Sequence, residues 1–176
     1  PNDTLSEKAL AAFEKKHGVA LPEDYRAVLA EVGNGGFGPD YDLLPLAPFT
    51  PAAMPTVTAT VTSKDGKVTG RAGTPKRPRL RRPAEIKRPF SLAEGWFPRD
   101  PLPVGDGHPY DGCIELAEIG CGYSCLLVVT GPRRGEVWHD TTAADGPIAP
   151  TGLDFRGWID RWLDGAIAWG ARGLAL

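Results

Sequence analysis

The sequence has no long apolar run: its longest uninterrupted stretches, Ala9 to Phe13 and Cys125 to Val129, are five residues each, against the roughly 20 that a membrane-spanning helix needs. A bilayer helix is excluded on that ground. Sulfur is scarce, with three Cys and one Met. An odd set of cysteines inside an apolar stretch suits buried thiols in a reducing compartment, so Cys113, Cys121 and Cys125 are expected to be buried and the protein cytoplasmic. The first residues hold no basic stretch followed by an apolar one, so no secretory leader is expected. With Pro rather than Met at position 1, the natural start is expected to have been removed. An excess of charge is missing too: 20 Lys+Arg against 22 Asp+Glu leave −2 over 176 residues. That balance describes a single ordinary domain, of a size that buries roughly 70% of its unfolded surface and needs no disulfide or metal staple.

The near-neutral sum hides a polarity along the chain. Residues 1–50 carry 4 basic and 8 acidic side chains, residues 51–100 carry 11 and 4, and residues 101–176 carry 5 and 10. Residues 71–89 hold Pro75, Pro78, Pro83 and Pro89 among eight Lys and Arg, with Glu85 the single acid. Few apolar anchors remain there, so an extended, mobile insertion is expected.

Local patterns place the elements. Thr4 and Glu7 form a capping-box pattern ahead of Ala9, Leu10 and Phe13, with Gly18 as the stop. Pro22 suits a first helical turn, and Tyr25, Val28, Leu29 and Val32 fall at i, i+3, i+4, i+7 before Gly33. The run Asn34 to Pro39, with Gly35, Gly36 and Gly38, is a sharp loop into a strand near Leu43 to Leu46. Val57, Ala59 and Val61 alternate with threonines, and Lys64 to Lys67 turns the chain back at Val68, which reads as a hairpin. Cys113 to Ile119 and Ser124 to Thr130 are strands, the second apolar on both faces and so covered on both. A turn at Gly131 to Gly135 leads to Glu136-Val137-Trp138, and a polar loop follows. Phe155, Trp158, Ile159, Trp162, Leu163 and Ile167 then share one helical face behind Asp154 as cap. The expected fold is α+β: a small mixed, mostly antiparallel sheet with two N-terminal helices and a C-terminal amphipathic helix, in one domain over residues 1–176.

Three segments carry a resemblance. Leu21-Pro22-Glu23-Asp24-Tyr25 through Val32-Gly33-Asn34-Gly35-Gly36 is similar to the opening of the SUKH superfamily, the Smi/Knr-like proteins. Ile119-Gly120-Cys121-Gly122-Tyr123, Val128-Val129-Thr130-Gly131 and Gly135-Glu136-Val137-Trp138 resemble its glycine, strand and G-x-V-W signature, and the Phe155 to Leu163 helix its aromatic ending. Residues from about 47 to 90 lie outside these motifs. The resemblance implies a non-enzymatic, protein-binding module, in many members an immunity protein that neutralises a cognate bacterial toxin by direct contact. It supplies no catalytic residue, cofactor or metal.

Weighed residue by residue, other chemistries fall away. The Gly35-Gly36 loop follows a helix and enters a strand, the reverse of a phosphate cradle. Cys113, Cys121, Cys125 and His108 lack the paired C-x2-C knuckle of a zinc site. His139-Asp140 suggests a general base with Cys121 or Ser124 as nucleophile, but no third orienting group is legible. Trp138, Trp158, Trp162 and Trp169 are expected in the core. Trp96, Phe97 and Tyr110 lie in loops, where an aromatic either pins the loop or awaits a partner. Asp106, Asp111, Asp140 and Asp145 lie in loops beside the same strands. These seven are the candidate partner-binding residues: aromatic anchors within an acidic rim that a basic toxin, such as a nuclease, would complement. The alternatives are a nucleic-acid-associated protein using Lys76 to Arg88, which lacks interleaved aromatics for stacking, and a regulatory scaffold without a toxin partner.

Overall fold

A strand of consecutive apolar residues has no wet face, so both sides of its sheet must be covered. The structure, a computed structural model, describes residues 1–48, 60–62, 68–71, 83–103 and 107–173. In chain order these form α1 (Glu7–His17), α2 (Glu23–Glu31), β1 (Thr60–Thr62), β2 (Val68–Arg71), β3 (Cys113–Gly120), β4 (Tyr123–Val128), β5 (Glu136–Asp140), a 3-10 turn (Thr142–Ala144), β6 (Ile148–Asp154) and α3 (Phe155–Gly173). The strands β3, β4, β5 and β6 make one antiparallel sheet in that spatial order. β1 and β2 pair antiparallel as a separate ribbon. The architecture is α+β, with the described sheets entirely antiparallel. The expected hairpin around Val57 to Val68 is present in β1 and β2; its turn at residues 63–67 lies outside the described residues.

One face of the four-stranded sheet packs Ile114, Leu116, Cys125, Leu127 and Val137 against Leu10 of α1, Tyr25 and Leu29 of α2, and Phe155 and Trp158 of α3. The other packs Cys113, Leu126, Val128, Trp138 and Ile148 against Phe90, Leu92, Trp96 and Tyr110, which lie in irregular chain. Helices cover one side and an aromatic strap covers the other. Edge-to-face rings sit in both layers, Tyr25 on Phe155 at 5.0 Å and Phe90 on Trp138 at 4.8 Å between centroids.

Several local readings shift. The cap of α1 is Ser6, whose Oγ accepts the Ala9 amide at 3.2 Å, because the preceding residues are tied elsewhere: Leu5 N donates to Leu29 O at 2.8 Å and Asn2 N to Gly35 O at 2.8 Å. Glu7 pairs with Arg26 on α2 through both oxygens instead of closing a box. Leu43 to Leu46 is a single bridge, Leu43 to Ala117, extending the sheet beside β3. β6, read as polar loop, is a strand; it tolerates Pro150 because it is the sheet's edge. Trp96 bridges Ile148 on that edge. Residues 83–89, expected in the mobile insertion, are packed: Glu85 N donates to Asp111 Oδ1 at 2.9 Å and Thr130 Oγ1 to Ile86 O at 2.8 Å. Residues 72–82, with most of the basic charge, lie outside the described residues. Trp169, expected in the core, is 73% exposed, since α3 runs past the sheet.

Gly112 pins the strap to the sheet. Its N–H donates to Glu85 O at 3.1 Å and its carbonyl accepts Val129 N at 2.7 Å. At φ +67, a Cβ there would stand 2.7 Å from both Arg88 O and Phe90 N. Gly112→Ala is therefore expected to destabilise the fold by about 2–4 kcal/mol through left-handed strain and displaced backbone. Urea denaturation checks this, and an unchanged midpoint would show that the strap is dispensable.

Candidate functional site at an acidic three-loop corner

Three loops meet at the end of the sheet that carries the β3–β4 turn. After Gly35 and Gly36, both left-handed, Gly36 N donates to Leu43 O at 2.9 Å. Tyr41 N then reaches Glu118 O at 3.3 Å and Leu44 N reaches Leu116 O at 2.7 Å, which lays Pro39 to Asp42 against the far end of β3. β3 and β4 are joined by Cys121 and Gly122, at φ 55 and 79, the two positive dihedrals of a tight turn whose twist matches its strands. A Cβ on Gly120 would lie 2.9 Å from Tyr41 Cε2, and one on Gly122 2.9 Å from Ala143 Cβ. The hairpin tip is thus wedged between the Tyr41 ring and the 3-10 turn.

Among the described residues, the non-glycine positions with positive φ are Asp40 (60), Asp42 (73), Cys121 (55) and Asp145 (59). All four belong to these loops. Such dihedrals cost of order 1–3 kcal/mol each and persist where a fixed shape is used. Tyr41 is 70% exposed, and Asp40 and Asp42 beside it, Glu118, whose carbonyl accepts its amide, and Asp145 on the 141–147 loop are exposed too. Residues 37–43, 118–123 and 141–147 contain no Lys or Arg.

Beneath the corner lies a bonded polar layer. The Tyr110 hydroxyl donates to Asp140 Oδ2 at 2.8 Å and stands 3.2 Å from Thr142 Oγ1, while Thr142 N donates to Asp140 Oδ1 at 2.8 Å. Burial, then the Asp140 charge, pushes the Tyr110 phenol above its ordinary value. Burial also raises the Glu115 carboxyl; a Ser124 hydrogen bond opposes this, and the Glu118 and Asp140 charges reinforce it. The Cys125 thiol is pushed up to about 12 by burial and by Asp40, and Cys113 well above its ordinary value by burial, Asp111 and Asp140.

The expected contact residues therefore divide. Trp96 is buried with its indole N–H donating to Pro101 O at 3.0 Å. Tyr110, Asp111 and Asp140 are buried too, and Asp111 accepts amides from Glu85 and His108. These four turn inward because their polar atoms hold loops to the body. Phe97 is half-buried beneath the Arg99 guanidinium, 4.7 Å from its ring centre. Asp145 stands at the corner, and Asp106 lies outside the described residues. Asp40, Tyr41 and Asp42, exposed at the same corner, escape the sequence reading because the glycines before them read only as a turn, and Glu118 because it reads as part of a strand.

Other constellations come apart. His139 is exposed and Asp140 buried, since neighbours on a strand point to opposite faces. His108 Nδ1 accepts Tyr110 N at 3.2 Å. Cys121, expected buried, is exposed on the turn, while Cys113 and Cys125 are buried. Among the described residues no three His, Cys, Asp or Glu side chains group as metal ligands, and no helix is long and apolar enough to cross a membrane.

A sheet sandwiched between helices and an aromatic strap, with a rigid acidic corner, defines a small scaffold that presents loops. The SMI1 / KNR4 family (SUKH-1) matches residues 4–161, nearly the whole chain, and the protein belongs to that family. No curated protein and no solved structure matches it significantly.

Two measurements test the site. Because folded Glu115 holds its proton to higher pH than the unfolded chain does, stability falls as pH rises from the ordinary glutamate range through the raised value. Glu115→Gln should therefore gain on the wild type across that window and hold a constant offset above it, as read from thermal midpoints; parallel curves would remove the shift. In the native protein a thiol reagent should modify Cys121 alone, with Cys113 and Cys125 reacting only on denaturation.

Proposed function

We propose that this protein is an immunity-type binding module that neutralises a cognate bacterial toxin by covering its active surface, without a chemical step. Family membership supports the class. The observation that carries the reading is Tyr41, an exposed aromatic between two aspartates at positive φ, with four exposed acids on segments whose sequences hold no Lys or Arg. An aromatic desolvated at the centre of an interface supplies affinity, while a rim of one charge speeds encounter with an opposite charge and rejects like-charged surfaces. The partner is thus a basic toxin domain, for which a nuclease is the fitting example. Asp145, exposed on the 141–147 loop, is proposed as part of that rim. Phe97, on a separate loop, is a second point of contact if the interface extends that far.

The product of the adjacent gene is the partner to test. It should form a one-to-one complex that survives moderate salt and protects cells from the toxin. Tyr41→Ala should weaken that complex about 10-fold or more, a loss of about 1.4 kcal/mol or more. Neutralising Asp40, Asp42 and Glu118 to Asn, Asn and Gln should mainly slow association at low salt, because asparagine tolerates the same left-handed backbone. Surface plasmon resonance at two ionic strengths separates the effects. A complex indifferent to all four substitutions would move the interface off the corner, and no binding to any neighbouring toxin would sink the immunity reading.

A further inference from the structure

The C-terminal part of α3 differs from the rest of the helix. Phe155 and Trp158 are buried and Trp162 half-buried, the pattern of a helix lying on a body. From Leu163 to Trp169, however, seven consecutive residues are all exposed, Leu163 by 41%, Ile167 by 69% and Trp169 by 73%. Seven residues go nearly twice round a helix, so no side of this stretch is laid against the body. Ile167 and Trp169 point about 160° apart, at about 100° per residue. On a third side, a Cβ added to Gly165 would meet nothing within 4 Å. Residues 165–171, Gly-Ala-Ile-Ala-Trp-Gly-Ala, carry no charge, and the one charge in residues 165–176 is Arg172. Gly165, Gly170 and Gly173 weaken the helix, and with no covered side it gains little from packing in water.

We propose that the C-terminal turns of α3 insert into the interfacial region of a lipid bilayer and hold the protein at that surface. Two apolar side chains on opposite sides of one helix do not both enter a groove on one partner face, whereas a bilayer interface closes round a helix end from every side. Trp suits that region, because its ring takes up the apolar side while its N–H stays near headgroups and water. Seven uncharged residues are about 10 Å long at 1.5 Å per residue, which matches the 5–10 Å to which interfacial helices sink. They fall far short of the roughly 20 that spanning needs, so the contact is with the interface and does not cross the bilayer. The interface also tolerates a helix end. The last carbonyls of a helix have no intrahelical donor and would be stranded in hydrocarbon, but water and headgroups remain within reach at that depth. Asp164, exposed, limits how far the helix sinks. Arg172 supplies the sign of charge that lipid phosphate attracts. This anchoring does not depend on the immunity reading, because it uses neither Tyr41 nor the acidic loops.

Co-sedimentation of the full chain with vesicles of pure phosphatidylcholine tests it, because a zwitterionic surface offers the basic stretch 76–88 no net charge to bind. With a partition constant of about 10³–10⁴ M⁻¹, up to that of a single acyl chain, more than half of the protein should sediment at about 2 mM lipid. Raising the salt from about 0.1 M to about 0.5 M should leave that fraction unchanged, since the contact is apolar. Ile167→Glu and Trp169→Glu should each lower the constant at least about 10-fold while leaving the thermal midpoint in lipid-free buffer unchanged. Trp169→Phe should still bind but lose most of the fluorescence quenching that brominated phosphatidylcholine produces in the wild type. No sedimentation with lipid overturns the proposal. So does binding that only one glutamate variant weakens, which would mean a one-sided contact, or that neither weakens, which would place the contact elsewhere. A fall in the lipid-free midpoint in both variants also overturns it, by placing the cover of these turns within the chain itself.

Discussion

The rest of the structure depends on β4 having no polar face. Leu126 and Val128 point to one side and Cys125 and Leu127 to the other, all fully buried, so neither side of the sheet can be left to water. Each buried aliphatic side chain contributes about 1.5–3 kcal/mol only while its cover stays in place. Three helices cover one side efficiently because each presents an apolar stripe. The other side has no helix among the described residues and is closed by Phe90, Leu92, Trp96 and Tyr110, large side chains on irregular chain. Irregular chain brings backbone groups that no ladder satisfies, and that is why the loops beside the strap are dense in Asp, Thr and His bonded to main-chain amides. Asp111, Asp140 and Thr130 are explained by this need.

The same constraint accounts for the geometry of the corner. Both edges of the sheet are extended by isolated bridges, Leu43 beside β3 and Trp96 beside β6, which hide donors and acceptors that an open edge would present to another chain. To reach β3, the chain leaving α2 must reverse within a few residues, and it does so through Gly35 and Gly36 and then Asp40 and Asp42 at positive φ. Aspartate accepts that backbone region better than most residues. The exposed acids of the Asp40–Asp42 loop thus stand where a steric demand selects them. The Tyr41 ring packs one edge against Gly120 at the hairpin tip and leaves the rest of its surface exposed.

How far the sequence discloses this varies with the kind of signal. Period-3.6 stripes and the two-sided apolar run mark α1, α2, α3, β3 and β4, because burial acts on residues close in the chain. β6 is hidden by Pro147, Pro150 and Gly152, which read as loop unless the strand is known to be an edge. The cap of α1 moves from Thr4 to Ser6 because bonds to Leu29 and Gly35, distant in sequence, hold residues 2–5. Trp169 keeps the spacing of a core residue yet is exposed, because spacing within a helix does not tell how far along it the body of the protein reaches. Of the expected contact residues, Trp96, Tyr110, Asp111 and Asp140 share with Asp145 the composition of exposed loop residues. Composition cannot separate an acid that holds a loop down from one that faces outward, since both sit among Gly, Pro and Thr.

That distinction changes the meaning of the charge along the chain. Residues 101–176 carry twice as many acids as bases, which suggests a strongly negative surface over the body. Asp111 and Asp140, however, are buried and engaged by amide or hydroxyl donors, and Glu115 is held toward its neutral form by burial. Charges in such positions stabilise or strain the interior and add little to the field an approaching protein meets. The exposed acids at this end of the sheet are instead Asp40, Asp42, Glu118 near the end of β3, and Asp145, on segments without Lys or Arg. Exposed charges closer than a Debye length, about 8 Å at physiological salt, reinforce one another, whereas charges spread over the body are screened. The negative surface at this end of the sheet is therefore set by where three loops converge, more than by the net charge of any segment.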